Sequence, residues 1–227
     1  MRRFHFASAL YAILDKEIFQ RQGLEITEGA RALLYGGCRV FQYRNKISNK
    51  VDIAREAHAL LRIAEGYQAI FVLNDGVEAY LELYKERKKK NLFFHFGQED
   101  RHPPLFYHPF GRSTHSIVEV RQALRERPKP TYIGFGSVFH SPTKPWLRPV
   151  SAAEIRHAVA LWSGPIVFIG GISLANLDQL RKIIPHQTRF SYGVASDLFR
   201  FGNRARDLER YALEFEREAK RFPQSLV

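Results

Sequence analysis

Eight short apolar runs recur along the 227-residue chain, and helical patterns lie between most of them. The runs are rich in β-branched and aromatic residues and almost continuous in hydrophobicity, as in parallel strands buried on both faces. They are YAIL (11–14), CRVFQ (38–42), AIFVL (69–73), LFFHF (92–96), FGRST (110–114, the weakest), TYIGFG (131–136), PIVFI (165–169) and TRFSY (188–192). Eight strands in a chain of this length predict an α/β fold, a closed (β/α)8 TIM barrel forming one domain over residues 1–227.

The helical segments carry start signals, because serine or threonine side chains at these positions can accept a hydrogen bond from the first turn. The predicted caps are Thr27, Ser48, Ser116, Ser151 and Ser173, the third and fourth within capping boxes. A last helix is predicted over residues 203–221. The segment GQEDRHPPLFYHP after the fourth run is too short and proline-rich for a helix, so that helix is predicted to be missing or replaced by a loop.

An open doubly wound sheet is the alternative fold. It usually carries a glycine-rich turn after its first strand, whereas DKEIFQRQG follows the first run here. No run of about 18 apolar residues is present, so no membrane span is expected. The single cysteine, Cys38, fits a reducing cytoplasm.

The formal net charge of +12 points to anionic partners. Both nucleic acid and phosphorylated small molecules have that chemistry. The dense basic run KERKKK, at residues 85–90, falls where a helix should end, and the helix dipole favours cations there. No DNA- or RNA-binding motif is visible, so small phosphorylated substrates are the expected partners and nucleic acid is not.

Polar residues follow the runs at their carboxyl ends, where (β/α)8 barrels build their active sites. In FQYRNK, at residues 41–46, a strand would aim Gln42 and Arg44 to one face, with Lys46 just beyond. A planar guanidinium and a point charge together suit a pyrophosphate. Two structural ion pairs are the alternative interpretation.

Asp75 and Asp100 follow the third and fourth runs, so their carboxylates are predicted on neighbouring strand ends. Two carboxylates with substrate phosphate oxygens are a usual way for proteins to hold Mg²⁺. Each aspartate alone could instead cap the next helix. Their position opposite Arg44 and Lys46 favours the metal site.

Other loops at the same edge carry further candidate groups. The turns GGI (170–172) and GVAS (193–196) follow the last two strands, where this fold usually binds a monophosphate through backbone N–H groups. The loop SPTK (141–144) offers two hydroxyls and a cation, or is only a proline turn. His115 is either a general base or part of a helix cap. The other histidines show no metal-ligand spacing.

The ordered set QYRNK, ND, GQED, STHS, GFGSVFHSPTK and IGGI resembles the thiamine phosphate synthase family, with QYRNK and GQED as its specific parts. The resemblance implies a (β/α)8 transferase that joins hydroxymethylpyrimidine pyrophosphate to a thiazole phosphate through a dissociative, Mg²⁺-dependent step. The substrate-binding residues it implies are Gln42, Arg44, Lys46, Asn74, Ser113, His115, Ser141, Thr143, Lys144, Gly171, Gly193 and Val194.

The resemblance also implies roles within that set. The pyrophosphate group of residues is Gln42, Arg44, Lys46 and Asn74. The thiazole phosphate would lie on Gly171 and the backbone of Gly193 and Val194. The residues implied in catalysis are Arg44, Lys46, Ser113 and Lys144. The implied Mg²⁺ ligands are Asp75 and Asp100.

The chain departs from the family pattern around two loops. KKKNLFF replaces a glycine-rich lead-in before GQED, and RHPPLFYHP replaces the helix after it. Ser141 stands at a threonine-type position, and Pro145 and Trp146 follow Lys144 where polar residues are usual. The run SYGVAS also differs at the last strand. These departures concern the thiazole half of the site and the loop after Asp100, whereas the pyrophosphate half matches.

Two other functions stay open from the sequence. A related thiazole tautomerase would use His115 as acid and base, and would need neither QYRNK nor the aspartate pair. A basic, non-catalytic protein that binds phosphate or nucleic acid would need a basic face away from the barrel mouth, with aromatic positions for stacking. The sequence leaves homo-oligomerisation open.

Overall fold

Eight parallel strands close into a barrel in chain order in the computed structural model, which describes residues 8–86, 91–98, 100, 106–141, 146–186 and 188–221. The strands are β1 (Leu10–Asp15), β2 (Val40–Arg44), β3 (Ile70–Asn74), β4 (Leu92–Phe96), β5 (Phe110–Thr114), β6 (Tyr132–Phe135), β7 (Ile166–Ile169) and β8 (Phe190–Val194). Pairing of β1 with β8 closes the barrel. All eight predicted strands and the (β/α)8 barrel are therefore confirmed, and the open sheet is excluded.

Helices connect most of the strands. They are α1 (Lys16–Gln22), α2 (Ile26–Tyr35), α3 (Lys50–Gly66), α4 (Val77–Glu86), α5 (Ile117–Arg125), α6 (Ala152–Leu161), α7 (Leu177–Arg181) and α8 (Ala205–Lys220), with a 3₁₀ helix over Ser196–Phe199. The described part of residues 97–109 contains no helix, in agreement with the predicted loss after the fourth strand. The lysine run 87–90 lies outside the described residues. No helix in the described ranges has the length and apolar character needed to cross a bilayer.

Three helix caps differ from those predicted: Glu25 rather than Thr27, Asn49 rather than Ser48, and Asn176 rather than Ser173. Asn49 caps α3 because its side chain accepts from the Asp52 N–H, while Ser48 accepts from Asn45 in the preceding turn. The predicted caps Ser116 and Ser151 are confirmed. Local capping signals therefore found the helices but placed several starts one to three residues away.

An aromatic cluster covers the outer face of β4, where a helix would otherwise pack. The Phe106 ring centroid lies 5.2 Å from that of Phe96 and 5.7 Å from that of Tyr80 on α4. All three side chains are buried. Because these rings remove the apolar face of β4 from water, the loop after β4 takes over the covering role of a helix.

The strands bury side chains on both faces. Their outer faces pack against the helices in the larger core. A smaller cluster fills the barrel interior and consists of Tyr11, Ile13, Val40, Val72, Phe93, Tyr132 and Val167. Because side chains alternate along a strand, Gln42 and Arg44 share the inner face of β2 with Val40, as predicted.

Candidate functional site

The carboxyl end of β2 carries the predicted cations, and each one faces a carboxylate. Arg44 Nη1 donates to Oδ2 of Asp15, the last residue of β1. Lys46 Nζ lies 3.8 Å from Oδ1 of Asp75, just past the end of β3. The Arg44 side chain is 29% exposed and that of Lys46 is 58% exposed. The ion pairs of the alternative interpretation are therefore present, but both pairs stand at the barrel mouth rather than on the outer surface.

Asp15 is a site residue that the sequence analysis missed. Its Oδ1 accepts from the N–H groups of Glu17 and Ile18 and so caps α1, while Oδ2 accepts from Arg44. Asp15 thus holds the guanidinium against the first turn of a helix. The sequence signal for Asp15 was its place at the end of the first apolar run. The segment DKEIFQRQG that begins with Asp15 has no glycine-rich turn, so Asp15 was not identified as a site residue.

Asp75 occupies a strained position with an unsatisfied carboxylate oxygen. Its backbone has φ +65°, a left-handed conformation that few residues other than glycine adopt. Oδ2 is buried and has no hydrogen-bond partner among the described residues. Burial raises the pKa of Asp75; the Lys46 and Arg44 cations oppose this shift, and the Asp100 and Asp15 carboxylates add to it. Strain and an unsatisfied oxygen at one residue are typical of a site built for a ligand.

Asp100 is the second predicted carboxylate, and its charge acts on Asp75. Its Oδ2 accepts from the Gly97 N–H at 2.6 Å, which closes a tight turn after β4. The Asp100 side chain is exposed. The structure therefore places Asp75 and Asp100 on the same rim, as the sequence predicted.

Arg112, on β5, holds the turn between Gly97 and Asp100 in place. The sequence analysis did not identify this residue. Its Nη1 donates to the carbonyls of Gly97 and Asp100, each at 2.7 Å. Its Nη2 donates to Glu126 Oε2 at 3.4 Å, and its Nε lies 3.0 Å from Glu126 Oε1, so the two side chains form an ion pair. The guanidinium also stacks over the Phe96 ring at 5.1 Å. A buried arginine thereby supports the loop that carries Asp100 in place of the missing helix.

We expect Arg112→Met to lower the free energy of unfolding by about 2–3 kcal/mol. Removing one partner of a buried ion pair typically costs about 3–5 kcal/mol, and the Glu126 side chain is 24% exposed, which reduces the cost. Urea denaturation measures the effect. Arg125→Met, which removes an exposed arginine from the neighbouring α5, is the matched control. Equal stability of the two variants would contradict the role given to Arg112.

Six polar side chains from β1 to β6 meet inside the barrel below this rim. They are Tyr11, Gln42, Asn74, His95, Ser113 and Tyr132. Gln42, Asn74 and Ser113 were predicted as site residues, whereas Tyr11, Tyr132 and His95 were not. A tyrosine or histidine within an apolar strand looks like an ordinary core residue in sequence. Only the closed barrel brings together one residue from each of these six strands.

His115 does not cap the helix, because Ser116 occupies that position. Its backbone N–H donates to Glu119, and its ring Nδ1 donates to the Gly136 carbonyl at 2.6 Å. The imidazole therefore ties the end of β5 to the loop after β6. Ser141 is buried in that loop. The predicted site residues Thr143 and Lys144 lie outside the described residues.

The turn after β7 depends on two glycines. Gly170 and Gly171 have φ values of +100° and +63°. A Cβ on Gly171 would lie 2.3 Å from the His140 carbonyl oxygen, so the turn packs directly on the loop after β6. Gly193 has an ordinary φ but a crowded position, where a Cβ would lie 3.1 Å from the Phe168 carbonyl oxygen. Val194 is buried in the outer core, so only its backbone is available for a ligand.

Gly171→Ala should destabilise the protein by about 1–3 kcal/mol, because alanine is strained at this φ and its methyl group would collide with a backbone oxygen. Thermal unfolding followed by circular dichroism measures this loss. Gly66→Ala is the control, since no heavy atom lies within 4 Å of its Cβ position at the end of α3. That substitution should be neutral or stabilise by up to about 1 kcal/mol.

Comparison with known proteins identifies the family. A family model described as thiamine monophosphate synthase matches residues 10–184. The chain belongs to the thiamine monophosphate synthase family. A protein named thiamine-phosphate synthase from Acidithiobacillus ferrooxidans is 34% identical over 182 residues, which cover 76% of this chain and 79% of the relative.

Two further likenesses, one in sequence and one in structure, differ in how much of each chain they cover. A protein of the same name from Synechococcus sp. is 32% identical over 162 residues, and the chain spans only 44% of that longer relative. The solved structure of thiamine phosphate pyrophosphorylase from Pyrococcus furiosus superposes with a TM-score of 0.76 at 23% identity, covering 96% of this chain and 98% of the other. At that identity the superposition shows the shared barrel fold.

The residues at the rim fit the Mg²⁺ that the family resemblance implies. Asp75 offers a buried carboxylate oxygen with no partner in the described structure. Within the described residues, no three His, Cys, Asp or Glu side chains converge as a metal cage. A site of two carboxylates completed by substrate phosphate and water suits Mg²⁺, which is usually held in that way.

Proposed function

We propose that the chain is a transferase that joins hydroxymethylpyrimidine pyrophosphate to a thiazole phosphate, giving thiamine phosphate and pyrophosphate. Family membership supports the reaction class. The observation that carries the proposal is the rim at β2 and β3, where the Arg44 and Lys46 cations both act on the Asp75 carboxylate beside Gln42 and Asn74. Such a group of charges suits a pyrophosphate and its counterion.

The proposed reaction needs little from acid–base groups. The C–O bond between the pyrimidinylmethyl carbon and pyrophosphate breaks, and its electron pair leaves with the pyrophosphate. The lone pair of the thiazole nitrogen then forms the new C–N bond, so no proton is transferred. This agrees with a rim at which cations, amides and carboxylates dominate among the described residues.

Arg44 and Lys46 would stabilise the negative charge that develops on the leaving pyrophosphate. A guanidinium has five N–H donors, and the contact with Asp15 uses Nη1. Asp75 and Asp100 would hold Mg²⁺, which when bound supplies further positive charge to the pyrophosphate oxygens. Lys144, Thr143 and Ser141 belong to the loop proposed to reach the thiazole and the leaving group.

The turns after β7 and β8 are proposed to bind the second substrate. Gly171 and the backbone of Gly193 and Val194 would hold the thiazole phosphate through N–H groups. The close packing of Gly171 on the loop after β6 fixes this turn relative to the loop that carries Ser141. The two substrates would then meet between the pyrophosphate rim and the glycine turns.

The test is an end-point assay for thiamine phosphate from both substrates, with and without Mg²⁺. We expect product only when both substrates and Mg²⁺ are present, and equimolar release of pyrophosphate. Pyrophosphate release without thiamine phosphate would show hydrolysis and contradict the proposal. Isomerisation of a thiazole phosphate alone would instead support the tautomerase, and tight salt-sensitive binding of an oligonucleotide without turnover would support the nucleic-acid alternative.

A further inference from the structure

We propose that the six polar side chains inside the barrel form one hydrogen-bond chain of fixed direction, in which Tyr11, Tyr132 and His95 are positioning residues that make Ser113 an acceptor toward substrate. The chain runs from Ser113 Oγ to His95 Nε2 (2.9 Å), from His95 Nδ1 to the Tyr132 hydroxyl (2.9 Å), and on to the Tyr11 hydroxyl (2.9 Å). It continues to Gln42 Oε1 (2.7 Å), from Gln42 Nε2 to Asn74 Oδ1 (3.1 Å), and from Asn74 Nδ2 to the His95 carbonyl (3.2 Å).

The carbonyl of His95 sets the direction, because a carbonyl oxygen can only accept. Asn74 must therefore present Nδ2 to it, which leaves Oδ1 facing Gln42. Gln42 must therefore donate from Nε2 to Asn74 Oδ1, which leaves Gln42 Oε1 facing Tyr11. Both amide orientations thus follow from one backbone group.

The same reasoning carries through the tyrosines to the imidazole. Tyr11 donates its only hydroxyl hydrogen to Gln42 Oε1. In the contact between the two tyrosines, Tyr132 must therefore be the donor and Tyr11 the acceptor. The Tyr132 oxygen then accepts from His95 Nδ1–H, and the neutral imidazole is left with an unprotonated Nε2. Ser113 has to donate its hydrogen to that nitrogen.

Burial keeps the number of protons in this hydrogen-bond chain constant. It lowers the pKa of His95 to about 3, and the Arg112 charge adds to this shift, so the imidazole is neutral near neutral pH. Burial raises the pKa of both Tyr11 and Tyr132, so each phenol keeps its hydrogen. An imidazole with so low a pKa is also a poor base. The Ser113–His95 contact therefore orients the serine rather than activating it as a nucleophile.

The consequence concerns ligand selection. With its hydrogen turned inward, half-buried Ser113 presents only lone pairs to a ligand. It therefore selects a group that donates a hydrogen bond, such as the amino group of an aminopyrimidine ring. This selectivity rests on the proposed function, whereas the direction of the chain does not.

The decisive variant is Tyr11→Phe, because Tyr11 does not touch His95. Without the Tyr11 hydroxyl, Tyr132 can turn its hydrogen toward His95 Nδ1, and His95 moves its own proton to Nε2. Nitrogen NMR of protein labelled with ¹⁵N-histidine reports which nitrogen is protonated, and His95→Asn identifies the signal. We expect protonated Nδ1 in the wild type and protonated Nε2 in Tyr11→Phe.

Binding supplies the second readout. The wild type should bind 4-aminopyrimidine about tenfold more tightly than 4-methylpyrimidine, because one hydrogen bond to a fixed partner contributes about that much to binding. Tyr11→Phe should lose this preference. Tyr80→Phe is the matched control, since its buried hydroxyl has no partner in the described structure, and it should behave as wild type in both measurements.

If Tyr11→Phe does not fold, Tyr132→Phe replaces it and should release His95 from the single Nδ1–H form. A wild-type His95 protonated on Nε2, or an unchanged tautomer in a folded variant, overturns the proposal even if the enzyme makes thiamine phosphate. The expected tautomers without any turnover would instead count against the proposed function alone.

Discussion

Arg44→Ala should raise the activation barrier of the proposed transfer by about 2–4 kcal/mol, seen as a large fall in kcat/KM with little change in the fold. The guanidinium stands at the end of β2, where the pyrophosphate would develop charge, and it is only 29% exposed, so solvent cannot replace it well. Its partner Asp15 keeps two backbone N–H groups of α1 after the substitution. Steady-state kinetics and thermal unfolding together measure the outcome.

Two further variants test this interpretation: one separates charge from geometry at Arg44, and the other is a control at a distant arginine. Arg44→Lys keeps the charge but loses the planar fork, so it should recover only part of the activity. Arg55→Ala removes an exposed arginine from α3, where it pairs with Asp52, and should leave kcat/KM unchanged. A normal rate in Arg44→Ala, or an equal loss in Arg55→Ala, would contradict a pyrophosphate site at Arg44.

The strands and the rim could be predicted because each depends on a local pattern. Continuous apolar runs identify buried parallel strands, and in a barrel their carboxyl ends meet at one edge. Arg44, Asp75 and Asp100 could therefore be placed on the same rim from strand ends alone. The missing helix after β4 was also visible in sequence, because proline and short length exclude a helix.

The supporting residues could not be predicted because their partners are distant in sequence. Arg112 contacts carbonyls of another loop, and Tyr11 and Tyr132 meet only when the barrel closes. Such residues lie inside apolar strands and have no local signature. The start of α2 was misplaced for a similar reason: Thr27 is a good cap by type, but α2 begins at Ile26, and that residue is buried.

Asp75→Asn should separate activity from stability. It removes a carboxylate proposed to hold Mg²⁺, so kcat/KM should fall by about a hundredfold or more, as expected when charge stabilisation worth several kcal/mol is lost. Asparagine has the same shape and tolerates the left-handed backbone at φ +65°. The variant should therefore fold normally, and isothermal titration with Mg²⁺ and pyrophosphate should show weakened binding.

The stability of Asp75→Asn should exceed that of the wild type, and the excess should grow with pH. Burial raises the folded-state pKa of Asp75 above that of the unfolded chain, so ionising this carboxyl costs stability as pH rises through the folded pKa. Below the unfolded pKa of about 3.9 both states are protonated and the two proteins should unfold alike. The lost attraction to Lys46 opposes the gain only weakly, since the pair is 3.8 Å apart and Lys46 is largely exposed. Urea denaturation from acid to neutral pH measures the difference, with Glu214→Gln on α8 as the control for removing one carboxylate. A variant that is less stable than the wild type at neutral pH would mean that Asp75 serves the fold, and the metal site would have to lie elsewhere.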